Sequence, residues 1–345
     1  MSVRIGLGLF TGQIPPGSNR TFEQEYRDIV EMSRLAETLG FDSIWVSEHH
    51  GSSDGYLPSL LPMLAGIATA TERVQLGTGV VLAPFHHPLR LAEDAAVIDQ
   101  LSGGRLILGL GLGWREEEYR MFGLPVNDRV RRTSETVEIL RKAWTGERFS
   151  HEGRIFKFDD ALVTPRPAQK PGPPIHLGGM VEAAIRRAGK LGDGYIRSRG
   201  DLDSTKQALA WAEEGALEAG KDPADLAFAF LQNAFVWEDT DAWEVVRDGV
   251  AHQLGVYAGW REGTDTPEQP ELKVMPPDEE TLRKMTPAGD RHEVIRALRP
   301  LVDAFVSRKE FHLVVRLHYP GMDLDTAARS IELFGTEVIP ALKGS

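Results

Sequence analysis

The chain has 345 residues, 41% of them hydrophobic, and a formal net charge of −12. That size suits one large α/β barrel or two medium domains, and the acidic balance argues against a nucleic-acid partner or an anionic membrane surface. The absence of cysteine excludes disulfides, thiolate metal sites and cysteine nucleophiles. No apolar run is long enough to span a bilayer, and the N-terminus enters a strand without a charged leader, so a soluble cytoplasmic protein is expected.

Residues 5–10 read as a first strand, followed by a Gly/Pro-rich loop over 11–20. Thr21 and Gln24 make a capping-box pattern. Ile29, Met32, Leu35, Ala36 and Leu39 form an apolar helical face, and Gly40 closes that helix. Residues 43–48 are a second strand, 58–71 a helix, 74–82 a third strand, 88–101 a helix beginning on Pro88, and 105–112 a fourth strand. The unbroken apolar character of the third and fourth strands fits parallel strands buried on both faces. A long helix covers 129–144, and 148–160 reads as a hairpin turning at Glu152-Gly153. Strands follow at 174–179, 193–197, 227–237 and 312–319, with helices at 182–191, 203–219, 242–254, 292–305 and 325–342. This βα rhythm predicts a single (β/α)8 TIM-barrel domain over 1–345, with insertions at about 146–173 and 255–290. A doubly wound sheet is the alternative.

Glu48, His49 and His50 arrive together where the second strand opens into a loop, the position at which barrel sites form. Histidine titrates near neutrality, so the pair points to proton handling. Adjacent side chains on a strand face opposite ways, so only one histidine can share a site with Glu48. Zinc binding is the competing reading and would need a ligand from elsewhere; no metal is expected. Glycines at the tops of the third and fourth strands, in LGTGV over 76–80 and GLGLG over 109–113, read either as tight interior packing or as close approach by a planar cofactor. GLGLG lacks the dinucleotide fingerprint spacing. Gly178-Gly179-Met180 ends the fifth strand at a helix start, where backbone N–H groups can cradle phosphate. Trp114, Arg115, Glu118, Tyr119, Arg197 and His318 are candidate pocket or substrate residues. The competing reading of the run Glu116–Glu118 is a solvated face, and His86-His87-Pro88 reads as a helix cap.

These stretches bring a resemblance into view. WVSEHH at 45–50, LGTGVVLAPFHHPLRLAEDAAVIDQLSGGR at 76–105, LGLGLGWREEEYRMFG at 108–123, IHLGG at 175–179 and GDGYI at 192–196 resemble the luciferase-like monooxygenases, flavin-dependent barrel enzymes that include bacterial luciferase. The resemblance implies proton transfer by His49, flanked by Glu48 and His50. It implies a flavin ring against Thr78, Gly79, Val80, Gly111 and Leu112, with a non-prolyl cis peptide at Gly79-Val80. Gly111 falls where luciferase has a reactive cysteine, and Leu112 where it has a phosphate-binding arginine. That departure moves the expected phosphate site to Gly178, Gly179 and Met180.

The activity so implied is oxygenation of a small organic substrate with O2 and reduced FMN, delivered by a separate NAD(P)H flavin reductase. Hydride transfer with a 5-deazaflavin coenzyme is the alternative, and a flavin-binding protein without turnover a further one. The resemblance also implies a homodimer. The 88–101 helix, with apolar Leu91, Ala95 and Ile98, is the expected contact.

Overall fold

The structure, a computed structural model, describes residues 3–344. Eight parallel strands form a closed barrel: Arg4–Phe10, Ser43–Val46, Gln75–Thr78 continued by Val81–Leu82, Leu106–Gly111, Ile175–Gly178, Gly194–Ser198, Ala227–Asn233 and Phe311–Arg316. They are called the first to eighth strands below. The eighth pairs with the first and seventh, and pairing of Leu76 with Leu106 and Gly77 with Ile107 closes the ring. Apolar side chains on one parity of the strands pack outward against the helices. Those of the other parity, Trp45, Ile107, Ile196, Ala229, Leu231 and Val314, fill the interior.

Trp45 governs that interior. It is fully buried and donates from Nε1 to Ser43 Oγ at 2.9 Å. Gly77 is its register partner on the third strand, and a Cβ there would lie 2.2 Å from the indole. A Cβ at Gly109 would meet Thr78 O at 2.0 Å, and one at Gly111 would meet Val80 Cγ2 at 2.4 Å. Tight packing therefore requires glycine at positions 77, 109 and 111.

The helix Phe22–Thr38 carries the expected Thr21/Gln24 capping box, and Glu182–Leu191 has the expected bounds. Other elements differ. The third strand breaks at Gly79-Val80, whose peptide bond is cis, and resumes at Val81. The seventh strand stops at Asn233, and Phe235–Val236 leaves to pair with Ala288–Gly289. The hairpin Phe149–Glu152/Lys157–Ala161 turns through four residues, not at Glu152-Gly153. There the Glu135 carboxylate accepts the N–H groups of Arg154, Ile155 and Phe156 at 2.9–3.2 Å. A short helix, Glu116–Met121, follows the fourth strand, and Ala242–Arg261 runs seven residues past its expected end at 254. Both additions reach the barrel mouth. On the helix Pro88–Ser102, Leu91, Ala95 and Ile98 lie in the chain's own core; the exposed apolar residues are Val97 and Leu101. Among the described residues no helix is long and apolar enough to cross a membrane.

Candidate active site

The chain leaves the second strand at Val46, and the next residues divide between two groups of partners. His49, only 6% exposed, donates from Nδ1 to Glu118 Oε1 at 2.8 Å. Glu118 sits on the short helix after the fourth strand and also accepts the His50 N–H at 2.9 Å. It is buried, not part of a solvated face. The carboxylate fixes the tautomer of His49 and leaves Nε2 without a protein partner, ready to accept a proton. Four rings surround the imidazole: Tyr56 at 4.8 Å, Trp260 at 5.0 Å, Tyr257 at 5.4 Å and Trp114 at 6.3 Å between centroids. The Tyr56 hydroxyl donates to Ser47 Oγ at 3.0 Å and lies 2.9 Å from the Tyr257 hydroxyl. Burial pushes both phenols above their ordinary pKa, so they act as neutral hydroxyls.

Glu48 and His50 form the second group. Glu48 Oε1 accepts from His50 Nε2 at 2.6 Å and from His86 Nε2 at 2.9 Å, while Oε2 accepts the Leu82 N–H at 3.1 Å. Burial works to raise the Glu48 pKa, but the two imidazoles outweigh it and bring it to about 2. His86 loses basicity to burial and regains more from Glu48, ending above its ordinary value. His86 is thus a partner of Glu48, and neither His86 nor His87 caps the following helix through its side chain. The structure brings Glu48 and His50 together and separates their side-chain hydrogen bonding from that of His49. No group of three or more His, Cys, Asp or Glu that could hold a metal ion lies among the described residues.

The helix Ala242–Arg261 supplies Tyr257 and Trp260 to the cage, and the loop after it is tied down. Arg115, 2% exposed, donates to His50 O at 2.9 Å and to Asp265 O at 2.7 Å, with its guanidinium 4.5 Å from the Trp260 ring centroid. Asp54 accepts from Gln13 Nε2 at 2.7 Å and His252 Nε2 at 2.9 Å, joining the loop after the second strand to the same helix.

The tops of the fourth and fifth strands open on a second feature, a small, narrow cleft lined by Gly111, Leu112, Thr133, Gly178 and Arg187. Thr133 Oγ1 is buried without a hydrogen-bond partner. Arg187, its pKa lowered by burial, has no ion pair or hydrogen bond among the described residues. An unpartnered hydroxyl beside an unpartnered cation is a donor set for an oxyanion, and the residues fit the terminal phosphate of a flavin mononucleotide. Gly178 has room toward the cleft, since a Cβ there would make only ordinary contacts. Gly179 O accepts from the Tyr195 hydroxyl at 2.9 Å, and Met180 is exposed.

The remaining expected residues fall in different places. Trp114 lies at the mouth. Tyr119 donates its hydroxyl to Leu112 O and packs on Phe85. Arg197 is turned out of the barrel, toward Thr205 Oγ1 and Ser204 Oγ at 3.3 Å on the helix Leu202–Glu218. His318 is buried beside Phe10, 3.7 Å from Glu25, and burial lowers its pKa to about 3. Neither Arg197 nor His318 is a rim residue. Sequence reasoning offered Glu118 and Arg115 as pocket residues but missed Tyr56, Tyr257 and Trp260. The one available signal was the cluster of aromatics in VYAGW, 256–260, just past the expected helix end.

A closed parallel barrel with a histidine–carboxylate pair and an aromatic cage at its C-terminal mouth is the setting of a barrel enzyme. The family model for luciferase-like monooxygenases matches residues 4–308, and the chain belongs to that family. It is 31% identical over 329 residues to an F420-dependent glucose-6-phosphate dehydrogenase of Segniliparus rotundus, covering 92% of this chain and 94% of that protein. It is 25% identical over 349 residues to the oxygenase component of a flavin-dependent trigonelline monooxygenase of Acinetobacter baylyi, covering 98% and 95%. The crystal structure of the monooxygenase RslO1 from Streptomyces bottropensis superposes with a TM-score of 0.82 at 25% identity, covering 98% of this chain and 99% of that one. The relatives it matches thus include both a flavin-dependent monooxygenase and an F420-dependent dehydrogenase.

Proposed function

We propose that the protein is the oxygenase of a two-component, cytoplasmic flavin system. It takes reduced FMN from a separate NAD(P)H flavin reductase and uses O2 to oxygenate a small organic substrate. One oxygen atom enters the substrate and the other leaves as water, the bound reduced flavin supplying the two electrons and two protons. The observation that carries this reading is His49, oriented by Glu118 with Nε2 free inside an aromatic cage. His49 moves the proton at Nε2, and Glu118 stabilises the imidazolium so formed. The cage and the helix Ala242–Arg261 keep water out. Thr78, Gly79, Val80, Gly111 and Leu112 flank the ring system. Gly178, Gly179 and Met180, joined by Thr133 and Arg187, hold the phosphate. Glu48 and His50 position His49, since His50 links the two groups through its N–H and its ring.

A terminal phosphate monoester, with its second charge, suits the unpaired Arg187 and Thr133 better than a diester does. The second reading, hydride transfer with a 5-deazaflavin coenzyme, is favoured by the 31% identity to an F420-dependent dehydrogenase. Anaerobic titration with each reduced cofactor separates the two. Reduced FMN should bind, and Arg187→Ala should weaken it roughly 10- to 100-fold, the worth of a hydrogen bond to a charged group. Firm binding of the reduced deazaflavin alone would replace the first reading by the second. We also propose a homodimer in which the helix Pro88–Ser102 contributes Val97 and Leu101; a monomer in sedimentation at micromolar concentration would rule that out.

A further inference from the structure

Arg316 is the last residue of the eighth strand. Its parity is that of Val314, which belongs to the barrel's interior cluster, so its side chain enters the mouth from inside. It is 5% exposed, yet its guanidinium has no hydrogen bond or ion pair among the described residues. At the end of the eighth strand it stands at the same mouth as Tyr56 and Tyr257, whose phenols feel its charge. Two more guanidiniums without a carboxylate partner, both on exposed residues, border the cage: Arg199, 6.0 Å from the Tyr257 ring centroid, and Arg261, 5.6 Å from that of Trp114, so that Arg316 alone is a buried cation. A chain of net charge −12 thus concentrates unpaired cations at one opening. A buried cation without a counter-charge is unfavourable, and the arrangement persists where a ligand brings the charge.

The ligand in question is not the flavin phosphate. The cleft with Thr133 and Arg187 is at the fourth and fifth strands, while the eighth strand lies across the barrel between the first and seventh. We propose that Arg316 is a substrate-binding residue that takes an oxyanion, a carboxylate or a phosphate monoester, carried by a planar small molecule whose ring lies in the aromatic cage. A guanidinium binds either group in a two-pronged fashion, and the rings of Tyr56, Tyr257, Trp114 and Trp260 supply the flat apolar surface. The inference deepens the oxygenase reading and rests on it for the word substrate.

The test uses benzoate, its neutral analogue benzamide, and phenyl phosphate as probes on the full chain, read by quenching of tryptophan fluorescence from the cage. Benzoate or phenyl phosphate should bind roughly tenfold or more tightly than benzamide, the tighter of the two naming the oxyanion. Arg316→Gln should abolish that preference, Arg316→Lys should restore part of it, and both variants should bind reduced FMN like the wild type with an unchanged unfolding midpoint. Equal binding of benzoate, phenyl phosphate and benzamide, or an Arg316→Gln variant that keeps the preference, overturns the proposal. Loss of reduced FMN binding in Arg316→Gln overturns it too, by assigning the guanidinium to the flavin. Oxyanion preference through Arg316 in a protein that binds no reduced FMN keeps the anion site and removes the flavin reading instead.

Discussion

His49 and its neighbours Glu48 and His50 are adjacent in the chain and alike in chemistry, yet their surroundings differ in one respect. Around Glu48 both carboxylate oxygens are used, by two imidazoles and a backbone N–H. Around His49 the polar groups are left open: Nε2 has no protein partner, and Glu118 Oε2 is buried with none. A saturated buried group stabilises one geometry, whereas an unsaturated one is held ready for a ligand or a proton. The contrast supports the proposal that His49 carries the chemistry and Glu48 the positioning. Each assignment can be broken separately.

The largest effect is expected at the open group. His49→Ala should slow single turnover by about 10²–10⁴-fold with preformed reduced flavin, leaving flavin binding largely intact. His49→Asn keeps size and polarity but cannot titrate near neutrality, so it should be similarly slow; a near wild-type rate for it would remove His49 from the mechanism. Glu118→Gln should have a smaller effect, about 10- to 100-fold on turnover, the range seen when the partner orienting a metal-bound imidazole is lost. It should also alter the pH–rate profile, and an unmoved profile would reduce Glu118 to packing.

At the closed group the effect should fall on stability. Glu48→Gln should lower the unfolding free energy by about 1.5–3 kcal/mol, measured by urea denaturation, because hydrogen bonds to a charged partner are lost. Its pH dependence has a definite sign. Glu48 has a folded pKa of about 2 against an ordinary 4.5, so its contribution is present above about 4.5 and lost as pH falls toward about 2. His86 is raised above 6.5, so its share is complete below 6.5 and lost as pH rises through the folded value. The pairing is therefore complete between about pH 4.5 and 6.5, and Glu48→Gln should flatten both limbs. Unchanged acid-side stability in that variant would show that the pairing is not what holds the loop.

The smallest effect is expected at Tyr257→Phe, which removes the 2.9 Å contact to Tyr56 but keeps the ring. A loss of about 0.5–1.5 kcal/mol is expected in the same urea experiment, with the fold retained. A much larger loss would mean that the helix Ala242–Arg261 depends on that contact to close the mouth.

Much of the architecture was legible in the residues. All eight barrel strands announced themselves, because strands buried on both faces must be apolar runs of short, regular length. Thr21 and Gln24 marked a helix start through contacts three residues apart, and local chemistry of that kind is written in the sequence. His49 stood out for the same reason, at the end of a recognisable strand. What the residues could not reveal was anything that depends on register or on distant partners. The glycines at the strand tops pointed to cofactor contact over packing, and only the pairing of Trp45 with Gly77 showed that packing itself demands a glycine there. Arg197 and Arg316 both sit at strand ends, and only strand parity, fixed by which side chains fill the barrel, turned the first out and the second in. Glu118 looked like part of a solvated acidic run until a helix from another βα unit carried it to His49, 69 positions away. Chain chemistry set the elements and the candidate groups. Closure of the barrel set which of those groups meet, because partners so far apart in sequence are brought together only by the packing of the whole.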